Sequence, residues 1–139
     1  MIAFETPKAP FVILSAERAE HNASANGART ARLIEELESR DYVPTLAIGY
    51  WQVVTEVSLI VSLDSDRYVQ WHVGELLAIA KRFDQDAILY VQFSGRATLI
   101  TSAAPDTDVD VGVWTLVDQP TALASEGYTL VNGEYYVAV

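Results

Sequence analysis

With 139 residues and a mass of 15.3 kDa, the chain is long enough to bury one sizeable core and is expected to form a single domain. It contains no cysteine, which excludes disulfides, thiolate chemistry and cysteine-ligated zinc. Nineteen acidic residues against nine basic ones give a formal charge of −10 and a pI near 4.4. That balance repels nucleic acid and anionic membrane and attracts basic protein surfaces.

Residues 1–10 hold Glu5 and Lys8 and no long apolar run, so no signal peptide is expected. No apolar stretch approaches the roughly 20 residues of a membrane span, and a cytoplasmic location is expected. "FVILSA" (residues 11–16) suits a short buried strand. The polar loop "ERAEHNASANG" offers Asn22, Ser24 and Asn26 as helix N-caps. The helix that follows runs to about Arg40, with Leu33, Ile34 and Leu37 inward and Glu35, Glu36 and Glu38 toward water.

"YVPTLAIGYW" and "VVTEVSLIVSL" read as two strands joined around residues 49–52. In the second, Val57, Leu59 and Val61 share one face, and Glu56, Ser58, Ile60 and Ser62 the other. A second helix over residues 63–83 is capped by Asp64 or Asp66 and carries Val69, Val73, Leu76, Ala80 and Phe83 as its apolar stripe. "AILYVQF" and "ATLITSA" form a hairpin over Ser94-Gly95. "VGVWTLV" is a strand, and "YTLVNGEYYVAV" a hairpin turning at Asn132-Gly133.

The order βαββαβ predicts an α+β, ferredoxin-like sandwich over residues 11–103. Residues 105–139 are then a C-terminal β extension packed on it. Right-handed crossovers collect Ser15, Asn26, Arg29, Glu56 and Gln85 at one edge, the last four as a polar cluster or ligand-binding site. Arg29 stands where the helix dipole disfavours it, so Glu56 is its expected partner.

The blocks "ILSA", "NGARTARL", "TEVSLIV" and "AIAKRFDQDAILYV" resemble an uncharacterised bacterial and phage family, domain of unknown function thirty-two ninety-three. Asn26 and Arg29 match its Asn-x-x-Arg pair, Glu56 its Glu-Ser pair, and Phe83, Gln85 and Ala87 its Phe-x-Gln-x-Ala block. The first loop departs from the family pattern, with Glu17-Arg18 where an Asn-Pro is usual. The resemblance implies a shared fold and polar cluster, and no activity.

Asp106, Asp108 and Asp110 alternate, but Val111 and Val117 occupy the glycine and glutamate positions that a calcium loop requires. His21 and His72 are too few for a zinc site without carboxylate help, and His72 reads as structural. No nucleophile elbow, P-loop or dinucleotide fingerprint exists. Trp51, if exposed at the strand turn, is a contact candidate.

Three function classes remain: an acidic protein-binding inhibitor, a small-molecule or nucleotide binder at the Arg29 edge, and a hydrolase with Glu56 as base. The expected function is the first, a non-catalytic, anti-CRISPR-type phage protein with no cofactor. Its partner is a host complex with a basic surface, met through Glu35, Glu36, Glu38, Asp41, Asp106, Asp108 and Asp110. No direct nucleic-acid or membrane binding is expected.

Overall fold

The computed structural model describes residues 8–63, 68–101 and 108–139. Its elements in chain order are β1 (Phe11–Leu14), α1 (Ala23–Ser39), β2 (Pro44–Trp51), β3 (Val54–Ser62), α2 (Val69–Arg82) and β4 (Ala87–Val91). Then come β5 (Arg96–Thr101), β6 (Val109–Val117), the short α3 (Gln119–Leu123), β7 (Gly127–Val131) and β8 (Glu134–Ala138). All eight strands join one closed antiparallel barrel in the order β1-β3-β2-β7-β8-β6-β5-β4.

This barrel replaces the expected ferredoxin-like sandwich. Strands β4, β1, β3 and β2 are consecutive neighbours, but the sheet has no free edge at β2 or at β5. Strand β2 pairs with β7 from Ile48↔Leu130 to Trp51↔Gly127, and β5 pairs with β6. The segment expected to lie against the sheet therefore completes it. The physical reason is the unpaired backbone of an edge strand, which three further strands satisfy from both sides.

Closure gives the sheet an inside and an outside, each with its own core. Outside, α1 and α2 pack Leu33, Leu37, Val73, Leu76, Ile79 and Ala80 on Val12, Leu14, Leu59, Val61 and Ile88. Inside, Phe11, Ile13, Ile60, Val91, Ala97, Val131 and Tyr136 meet, with Trp114 against them. Trp114 stacks on Tyr136 at 5.1 Å and meets the Phe11 ring edge-on at 5.3 Å.

Local chemistry sets several boundaries. Asn22 caps α1 by accepting the Ala25 N–H at 2.8 Å. The expected α2 caps, Asp64 and Asp66, lie outside the described residues; the residue before α2 is Tyr68, in a left-handed conformation without a side-chain cap. Asn132 and Gly133 both take positive φ at the last hairpin, as a tight primed turn requires.

A bulge joins β5 to β6, where Ala97 pairs with Gly112 and Thr98 with Asp110. Gly112 has φ +113, and a Cβ there would stand 2.5 Å from the Val139 carbonyl carbon. That close approach lets Val139 donate to the Val113 carbonyl at 3.0 Å and seal the barrel wall. Gly112→Ala is expected to lose about 2–3 kcal/mol of stability in urea titration, through overpacking against backbone. A variant as stable as the parent would show that this closure is not a tight constraint.

Candidate active site

The pleat of β3 decides which side chains face the interior. Ile60 belongs to the inner core and Leu59 and Val61 to the outer one, so Ser58 and Glu56 point inward with Ile60. Their partners on β2 are Thr45, Ala47 and Gly49, with Gly49 opposite Glu56. On β7, Thr129 lies opposite Gly49 and Gly127 opposite Trp51. One end of the barrel, where β2 finishes and β3 and β7 begin, thus gathers Glu56, Gly49, Ser58, Thr129, Gly127 and Trp51. Phe11, Trp114 and Tyr136 fill the interior beyond them.

Glu56 is partly buried, and among the described residues its carboxylate has no hydrogen bond or ion pair. Burial, and secondly the charge of Glu17, hold its pKa above the usual carboxylate range. A Cβ on Gly49 would sit 3.1 Å from Ser58 Oγ and 3.8 Å from Glu56 Cγ, so glycine lets both side chains lie close against the β2 backbone. Glu17 is fixed from three directions. Its carboxylate accepts the Val57 N–H at 2.9 Å, and its own N–H donates to Ser15 Oγ at 3.1 Å. Its carbonyl accepts from Gln85 Nε2 at 2.9 Å. Ser15 Oγ in turn donates to the Val57 carbonyl at 2.8 Å. Two carboxylates therefore share one mouth, an arrangement that favours a cationic ligand.

The expected cluster of Asn26, Arg29, Glu56 and Gln85 is divided by the barrel wall. Arg29 and Gln85 meet at the Phe83 carbonyl, but no ion pair joins Arg29 to Glu56. Arg29 Nε donates to the Ala16 carbonyl at 2.6 Å, its second arm reaches the Phe83 carbonyl, and Asp84 lies 3.9 Å away. Phe83 is the C-cap of α2, so Arg29 serves the negative end of a different helix from its own. Asn26 accepts the Arg18 N–H at 2.9 Å and donates to its carbonyl at 3.0 Å, fixing the loop after Glu17.

Glu17 and Gly49 were not singled out from sequence. The available signal was Glu17 two residues after Ser15, continuing the strand beside Val57.

The other candidates are dispersed. Glu35, Glu38 and Asp41 are exposed on α1 and its end, while Glu36 pairs with Arg40 at 3.0 Å and with Arg82. Asp108 and Asp110 are exposed, Asp110 standing 3.4 Å from Arg96; Asp106 lies outside the described residues. His72 Nδ1 lies 2.7 Å from Tyr42 Oη, which also donates to Glu75 at 2.7 Å. Since Tyr42 has one proton and gives it to Glu75, Nδ1 of His72 is the protonated nitrogen. Burial first, then Glu75, push the Tyr42 phenol well above its usual range.

A cleft of about 650 Å³ between α1 and the end of α2 is lined by Arg29, Arg32, Glu36 and Arg82 among others. Three arginines there outnumber Glu35 and Glu36, so the cleft is net basic and disfavours a cation.

These contacts make Arg29 a part of the framework. Arg29→Ala removes charge-assisted bonds to two carbonyls and is expected to lose about 2–4 kcal/mol. Equilibrium unfolding in urea reads this, and a loss below 0.5 kcal/mol, roughly the range of ordinary surface substitutions, contradicts it.

The sequence model of the S-adenosylmethionine lyase family matches residues 12–139, from β1 to the end of β8. Comparison with curated proteins found no match. The family match overturns the resemblance to domain of unknown function thirty-two ninety-three. It equally overturns the expectation of a non-catalytic, anti-CRISPR-type phage inhibitor, because the matching family is named for an enzyme. That expectation rested on the charge of −10, the resemblance to a family that phages carry, and the want of an assembled catalytic motif, which is a statement about some reaction classes only. The match covers both carboxylates of the barrel mouth as well as Gly49 and Trp51. This chain belongs to the S-adenosylmethionine lyase family.

Proposed function

We propose that the protein is an enzyme that cleaves S-adenosylmethionine as a lyase, and that the substrate's cationic centre binds at the barrel mouth beside Glu56. The observation that carries this reading is the inward Glu56 carboxylate, without a hydrogen-bond or ion-pair partner among the described residues and with Glu17 next to it. S-Adenosylmethionine brings a sulfonium and an ammonium, the charges such a mouth lacks. Its sulfonium also brings an activated leaving group: the substrate's own carboxylate closes a lactone on a carbon bonded to sulfur, and as that carbon–sulfur bond breaks its electron pair leaves on a neutral thioether. The residues then have to bind, orient and desolvate the substrate, and proximity of the reacting atoms contributes the rate. The packed interior beyond Glu56 limits the water that competes for the same carbon.

The positive charge at sulfur disappears as the bond breaks, so a carboxylate beside it favours the bound substrate over the transition state. Glu56→Gln is accordingly expected to raise KM by about 10- to 100-fold, the scale of a charge-assisted contact, with a smaller change in kcat. A variant with unaltered KM and kcat in an S-adenosylmethionine cleavage assay would remove Glu56 from the site.

The raised pKa fixes two pH effects. Substrate binding needs the ionised carboxylate, so kcat/KM falls as pH drops through the folded pKa of Glu56, and Glu56→Gln removes that limb. In the free protein the folded state holds this proton more tightly than the unfolded chain does. The stability penalty is absent below the ordinary carboxylate range and complete above the raised pKa. Glu56→Gln is therefore expected to melt at or above the wild-type temperature at pH 7. A large loss of stability would assign Glu56 to the framework.

A further inference from the structure

We infer that Trp51 is the platform on which the adenine ring of the substrate stacks, an inference that rests on the lyase reading above. Three tryptophans are available, and the structure distinguishes them. Trp114 is enclosed between Phe11 and Tyr136, and Trp71 stands edge-on to His72 on the helical layer. Trp51 is 59% exposed and, among the described residues, has no aromatic ring partner.

Its indole lies across Gly127, where any Cβ would collide with the ring. The Cε3–Cζ3 side of the ring thus packs on bare backbone, and a large part of the ring remains open to solvent. The turn that carries it is held in an unusual shape. Gln52 and Val53 take φ +46 and +63, the left-handed region that β-branched residues rarely adopt, and the Gln52 N–H donates to the Glu126 carbonyl at 3.0 Å. A fixed ring costs little further ordering when a flat ligand lands on it.

Position relative to Glu56 completes the argument. Trp51 follows Gly49 by two residues on the same face of β2, and Gly49 is the register partner of Glu56. Two residues along a strand span roughly 7 Å, a distance that a ribose bridges between a base and a sulfur. Gly49 has no side chain to stand between Trp51 and Glu56 along this face, which is bordered by Val54 opposite Trp51 and Thr129 opposite Gly49. A purine on Trp51 therefore places a sulfonium near Glu56, across Gly49.

The experiment uses S-adenosylmethionine and S-adenosylhomocysteine, its uncharged thioether analogue, with calorimetry and tryptophan fluorescence. Trp51→Leu is expected to weaken both ligands by about 10- to 100-fold, the scale of a lost base–aromatic stack, whereas Glu56→Gln weakens mainly the sulfonium. Trp51→Phe keeps a ring and retains most of the affinity, and Trp71→Phe binds as the wild type. In the Trp71→Phe protein, saturation with S-adenosylhomocysteine quenches the exposed, red-edge emission of Trp51. This readout needs no change at Trp51 itself. Unchanged affinity in folded Trp51→Leu, or no quench in Trp71→Phe at saturation, overturns the inference while wild-type cleavage keeps the lyase reading intact. A wild-type protein that neither binds nor cleaves S-adenosylmethionine overturns both.

Discussion

Closure of the sheet is the constraint on which the rest of the molecule depends. An open sheet built from β4, β1, β3 and β2 has one face under the helices and the other in water. Adding β5 and then β6 to β8 curls that second face inward and makes it the lining of a barrel. Residues that alternate along β3 are then buried on both sides, with opposite consequences. Leu59 and Val61 hold the helices, whereas Glu56 and Ser58 line an interior.

Once closed, the barrel is filled unevenly. Phe11, Trp114 and Tyr136 stack within it, while glycines at 49 and 127 thin the wall at the other end. The Glu56 carboxylate at that end loses part of its water and, among the described residues, gains no hydrogen-bond or ion-pair partner. Such a group remains unfavourable until something positive arrives, and a sulfonium amino acid is positive at two places. The proposed substrate would relieve that cost on binding, a pattern common to binding sites.

The helical layer serves this site from behind. Arg29 ties the start of α1 to the end of α2 and to the segment leaving β1. Gln85 and Ser15 then fix Glu17 beside Val57, so the position of the second carboxylate follows from packing two helices on one wall. The acidic surface residues of α1 stand apart from this arrangement, and one of them, Glu36, is met by both Arg40 and Arg82. Net charge described the surface and was silent about the mouth, because a sum over residues carries no positions.

The sequence by itself determined the strands, the two amphipathic helices, the Asn132-Gly133 turn and the face that Glu56 shares with Ser58 and Ile60. These are local properties, set by periodicities of 2 and 3.6 residues and by turn chemistry. It also marked Trp51 at a turn. Only the tertiary structure decided what that shared face meets. Whether Glu56 looks toward Arg29, toward solvent or into a barrel depends on strands 70 residues further along the chain, and pairings at that separation leave no local signal. The same holds for Glu17, whose place beside Glu56 comes from β1 lying against β3, and for Arg29, whose partners are backbone carbonyls that every residue possesses.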